Sequence, residues 1–121
     1  MISKAQFSLL LDVALAATHR GLAADGRAIL EGLLAWNPGY RPALIGLAFN
    51  HAAVDDFARA EAILRNDVLA QDPDDAQAQA MLGLTLRLAG RADEAIAILA
   101  ELRDKAEGEA AELAGALASE S

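Results

Sequence analysis

The sequence predicts an all-α protein arranged as an array of helical hairpins, and three observations carry that prediction. The first is composition: 121 residues hold 30 Ala and 20 Leu against 11 Val, Ile and Thr combined. Ala and Leu are strong helix formers, whereas strands are built from β-branched residues. The second is the placing of the prolines. Pro38, Pro42 and Pro73 stand in Asn37-Pro38-Gly39, Arg41-Pro42 and Asp72-Pro73-Asp74-Asp75, beside turn formers, where proline ends one helix or opens the next. The third is an internal repeat. Leu10-x-x-Val13-Ala14 returns as Leu44-x-x-Leu47-Ala48 after 34 residues, and Leu82-Gly83 follows Leu47-Ala48 by 35; a period of this length marks stacked helical hairpins.

The elements follow in order. In the first unit, about residues 7–40, Leu10, Val13, Ala14 and Ala17 share a helical face, Gly21 makes the turn, and the second helix carries Gly26 four places before Leu30. The second unit, about 41–75, repeats this with Leu44, Leu47 and Ala48, a turn at Asp55, and Ala60 before Leu64. The third, about 76–109, has Leu82, Gly83 and Leu86, a turn at Gly90, and Ala95 before Leu99. A small residue on each helix allows close approach of its antiparallel neighbour, and the large one beside it fills the remaining space. One residue is inserted between Arg65 and Leu69 relative to the first unit. The tail, about 109–118, has an apolar face suited to capping the last hairpin; a frayed end is the other reading. The whole of 1–121 reads as one domain.

Composition also removes function classes. Ten basic against 18 acidic residues give a net charge of −8, which repels phosphate backbones and anionic membrane surfaces, so nucleic acid is not an expected partner. The longest run free of charge, Pro42 to Val54, is 13 residues, short of the roughly 18 a membrane span needs. The absence of Cys removes disulfides, thiolate metal sites and a Cys nucleophile. The opening Met1-Ile2-Ser3-Lys4 lacks the pattern of a signal peptide. A soluble, cytoplasmic chain is expected.

The spacing and the run Gly90-Arg91-Ala92-Asp93-Glu94-Ala95-Ile96 resemble the tetratricopeptide repeat, which implies a right-handed superhelical array of three helix-turn-helix hairpins with a capping helix. Ala17, His51, Leu33, Leu102 and Glu107 depart from that family's usual residues. Such arrays bind on the concave surface lined by the first helix of each unit, and what they bind is decided by the lining. The residues placed there are Leu11, Leu15 and Thr18 on the first unit, Gly46, Phe49 and Ala53 on the second, and Ala80, Leu84 and Arg87 on the third; Ser8 and Gln77 fall on the same faces. Co-chaperone members hold a partner's terminal carboxylate with Lys, Asn and Arg, but the matching places are Leu11, Leu15, Leu47, Gln77 and Met81. An apolar wall of this kind suits an amphipathic helix or extended apolar segment of a protein partner. Packing of unit against unit is the competing reading of the same leucines.

The run Arg27-Ala28-Ile29-Leu30-Glu31-Gly32-Leu33-Leu34-Ala35-Trp36-Asn37-Pro38, with the later Asp-Pro junction and Leu82-Gly83, is similar to small bacterial type III secretion chaperones. That similarity implies a cytoplasmic chaperone for a small helical secreted subunit or an export-apparatus protein. A self-assembling scaffold is the alternative, and homo-oligomers are compatible with it.

No enzyme is expected, and no cofactor or metal. His19 and His51 lie on neighbouring first helices but lack a carboxylate at ligand spacing. Asp72-Pro73-Asp74-Asp75 lacks the Gly and Glu of a calcium loop and reads as a helix cap, while Asp93-Glu94 falls in a first helical turn. Trp36, Tyr40 and Phe57 read as a wedge at the first junction, and Phe7 and Phe49 as contact residues.

Overall fold

The computed structural model describes residues 2–119. They form α1 (Lys4–His19), α2 (Ala23–Trp36), α3 (Arg41–Ala53), α4 (Phe57–Ala62), which runs on as a π-helical segment (Ile63–Leu69), α5 (Ala76–Leu88) and α6 (Ala92–Ser119). No strand occurs among the described residues. The helices pair as three hairpins, α1–α2, α3–α4 and α5–α6.

Local signals set the ends. Ser3 caps α1 reciprocally with Gln6, Asp56 accepts the Arg59 N–H at the start of α4, and Asp75 accepts the Ala78 N–H at the start of α5. Pro42 lies in the first turn of α3, where its missing N–H costs nothing. The three turn residues Gly21, Asp55 and Gly90 have φ of 83°, 65° and 84°, and they are the positions the repeat spacing singled out. Only Asp55 has a side chain to strain that left-handed backbone.

The inserted residue of the second unit is absorbed without breaking the helix. From Ile63 to Leu69 the backbone widens to π-helical form, which takes up one extra residue per turn. Ile63, Leu64 and Val68 thereby remain buried.

Small residues sit where the hairpins close. A Cβ on Gly26 would lie 2.6 Å from Thr18 Oγ1 and 2.7 Å from the Ala14 carbonyl oxygen, and one on Gly83 would lie 2.6 Å from Leu99 Cδ2. The core falls into two clusters. Ala14, Leu30, Leu33 and Ala43 hold the first unit to the second, and a larger set including Ala48, Leu64, Val68, Leu82 and Leu86 holds the second to the third.

Two expectations are corrected here. The tail 109–118 is helical, but as the uninterrupted end of the 28-residue α6, and it does not cover the third hairpin. Leu113 and Leu117 are 63% and 61% exposed, because α6 runs antiparallel to α5, which begins only at Ala76, and has already drawn level with Asp74 at Lys105. Nor do Trp36, Tyr40 and Phe57 cluster. Tyr40 meets Phe7 edge-on at 5.3 Å, Phe57 packs on the second core cluster, and Trp36 is exposed.

Candidate functional site

First helices α1, α3 and α5 stand side by side, and between them an apolar trough of about 400 Å³ is open. The small residues explain the opening. Gly46 approaches Leu30, Leu11 and Leu15 so closely that a Cβ would lie 3.1 to 3.4 Å from their methyl groups, so α3 lies low between its neighbours. Leu11 and Leu15 come from α1, Pro42, Ile45, Gly46 and Phe49 from α3, and Gln77, Ala80, Met81 and Leu84 from α5.

Of the nine residues placed on this wall from sequence, Leu11, Leu15, Gly46, Phe49, Ala80 and Leu84 line the trough. The other three do not. Thr18 is buried, donating to the Ala14 carbonyl oxygen at 2.9 Å and accepting from Asn50 Nδ2 at 3.0 Å, because Gly26 of α2 and Asn50 of α3 close in on α1 at that level. Ala53 is exposed at the last residue of α3. Arg87 borders a separate cleft between α5 and α6. All three lie one heptad beyond a lining residue, Leu11, Gly46 or Ala80, and so past the end of the trough. Pro42, Ile45 and Met81 were missed, and each lies three or four residues from a lining residue that was found, which is the signal that locates them.

The wall offers little to a charge. Gln77 is its one polar side chain, and the nearest ion pairs belong to the scaffold: Arg41 Nη1 reaches Asp72 at 2.7 Å and Asp75 at 3.0 Å, and Lys105 holds Asp74. These bonds keep Arg41 charged and the Asp75 carboxyl below its ordinary range; burial opposes that lowering, and the Ala78 N–H and Arg41 outweigh it. The cluster 72–75 is thus a cap and a clamp. At the convex side, Arg91 binds Glu61 at 2.6 Å and Glu94 at 2.7 Å.

The histidines face different neighbours. His19 lies against the Phe49 ring at 4.9 Å, at the end of the trough. His51 is buried, with Nδ1 at 3.5 Å from Asp56 Oδ2, and burial followed by nearby Arg27 pushes its pKa below the ordinary value. No group of three His, Cys, Asp or Glu able to hold a metal occurs among the described residues, and no described helix is long and apolar enough to cross a membrane.

The family model for the tetratricopeptide repeat matches residues 51–119. No curated protein matches the chain.

Proposed function

The chain belongs to the tetratricopeptide repeat family, a family of protein-interaction modules without catalysis as a rule, and from that premise we propose that its partner is an amphipathic helix seated in the α1–α3–α5 trough. One observation carries the reading. The wall is apolar and open, with Leu84 46% exposed and no side chain of the described residues filling it. Apolar surface left uncovered in a cleft of this size marks an interaction site.

The lining sets the chemistry of the partner. With no cationic grip among the lining residues, a free chain terminus gains nothing, whereas apolar anchors at i, i+3/i+4 and i+7 gain about 1.5–3 kcal/mol each when fully buried. Two or three anchors must offset an association cost of about 4–15 kcal/mol, so the contact is reversible. A holding chaperone needs that property. The Arg27–Pro38 run supports the finer assignment to a cytoplasmic chaperone of a small helical secreted protein or an export-apparatus component.

A fluorescent amphipathic peptide with leucines at helical spacing tests the trough. Binding is expected to weaken at least about tenfold on Leu84→Asp and on Phe49→Asp, since a carboxylate on an apolar wall costs more than the roughly 1.4 kcal/mol that a factor of ten requires. Leu15→Asp is expected to act alike. Circular dichroism checks that each variant stays helical. Unchanged affinity in folded Leu84→Asp refutes the trough reading.

A further inference from the structure

Every first helix that follows a unit is buried along one edge. On α3 that edge holds Ala43 and Asn50, both 0% exposed, with half-buried Leu47 between them; on α5 it is Ala78, Leu82 and Thr85, at 0%, 2% and 1%. The repeat spacing puts Leu9, Val13 and Ala16 at the same three places on α1. There Leu9 is 63% and Val13 46% exposed, and Ala16 is exposed as well.

The opposite end of the array is the counterpart. Between α5 and α6 a cleft of about 240 Å³ is lined by Arg87, Ala92, Ala95, Ile96 and Leu99. Two units earlier the same places are Thr18, Ala23, Gly26, Arg27 and Leu30, the surroundings of Asn50. Asn50 donates to Thr18 Oγ1 and to the Ala23 carbonyl oxygen and accepts from Arg27 Nε. The cleft is therefore the seat that Asn50 fills at the first junction, repeated at the end of the array and open. The polarity changes in step on both sides: Ile96 stands for Arg27, and Ala16 stands for Asn50.

We infer that a second copy of this chain docks its α1 against the α5–α6 cleft, continuing the array head to tail. The contact prolongs the interface already present twice within the chain. Charge agrees with it. α6 carries seven acidic and two basic residues, so two such helices repel, whereas residues 1–40 balance three against three. In the antiparallel register that sets Asn50 opposite Ala23 and Arg27, Lys4 falls opposite the stretch 104–108, which holds Asp104 and Glu107. One residue weakens the fit. Asp12 occupies the place of Gly46 and Met81, and the half-buried Met81 shows that a side chain there leads to the trough wall. The proposal goes beyond the trough reading, for the cleft and the trough share no residue.

A contact between unlike surfaces is open-ended, so sedimentation of the purified chain at rising concentration is expected to show masses growing past the dimer. Val13→Glu and Ile96→Glu are each expected to weaken association at least about tenfold. Mixed together, they should form a one-to-one pair and nothing larger, because one sound head and one sound cleft remain. Asp12→Ala should tighten association. Both charged changes fall on exposed side chains, and Leu9→Glu repeats the head-side test if Val13→Glu lowers the melting temperature. A mass that stays at one chain at every concentration overturns the inference. So does a mixture that fails to pair, or an assembly abolished by Leu113→Glu with Leu117→Glu but not by Ile96→Glu. Phe49→Asp should leave assembly intact, which keeps failure here distinct from failure of the trough.

Discussion

At the first junction, between α2 and α3, the buried key is an amide. Both donors of Asn50 Nδ2 are used, at 3.0 Å to Thr18 and 2.9 Å to Ala23, and its oxygen accepts from Arg27 at 2.9 Å. At the second junction the corresponding Thr85 donates within its own helix, to the Met81 carbonyl oxygen at 2.8 Å. Cohesion there comes from Ile63, Leu64, Val68, Leu82 and Leu86. The same hairpin stacking is thus secured once by directional bonds and once by apolar contact. The difference teaches where each junction is vulnerable: hydrogen bonds fix one relative placement of the helices but contribute little net, while apolar burial contributes more and specifies less.

The largest expected effect breaks the apolar junction. Leu64→Ala should lower unfolding stability by about 2–5 kcal/mol, because Leu64 is fully buried and the void cannot close between helices held by their neighbours. Urea unfolding measures it. Asn50→Ala should cost about 1–3 kcal/mol, leaving the Ala23 carbonyl oxygen, Thr18 and Arg27 short of a partner, and Thr85→Ala should cost less than Asn50→Ala. Equal losses at positions 50 and 85 would mean that the amide network adds nothing.

The smallest effect concerns pH, and it belongs to the first junction. Arg27, Asp56, Arg59 and Glu31 act on buried His51, and its folded pKa is lowered, burial being the largest cause and Arg27 the next. A lowered histidine binds fewer protons folded than unfolded, so its effect is absent above the unfolded value of 6.5 and stability falls as pH drops through and below it. Melting temperature should decline modestly between about pH 7 and 5.5, and His51→Gln should flatten that part of the profile. The second junction responds lower. Glu61 and Glu94 are lowered chiefly by hydrogen bonds to Arg91, so their contribution is present above the ordinary carboxylate value and disappears as pH falls through the lowered one.

Much of the scaffold was legible before any coordinates, and particular residues show why. The turn positions Gly21, Asp55 and Gly90 were found by spacing alone, since a left-handed residue is demanded once per hairpin wherever the repeat falls. Gly26, Ala60 and Ala95 were legible for the same reason: close helix approach requires a small side chain at a fixed step before a large one. The trough was legible in part. Leu11, Leu15, Phe49 and Leu84 follow from helical phase, but Thr18 and Arg87, at the ends of their helices, were assigned to the wrong side. Each lies seven residues after a lining residue, Leu11 or Ala80, only about 20° away in helical angle, so phase alone puts it on the trough side and only the neighbouring elements at that height decide otherwise. The tail shows a different limit. Helix formation in 109–118 follows from its Ala, Leu and Glu content, but whether an apolar face is covered depends on how far the partner helix extends.

By itself the sequence determined the helices, the period of their pairing, the sites of close approach and the absence of a cationic clamp, because all of these are encoded within a few residues of one another. The tertiary structure decided the rest. It absorbed the inserted residue as a π-helical segment, turned Thr18 and Asn50 into one buried network, left the trough unfilled and carried α6 beyond its neighbour. Each of these depends on groups distant in the chain, whose competition for the same space has no local signature.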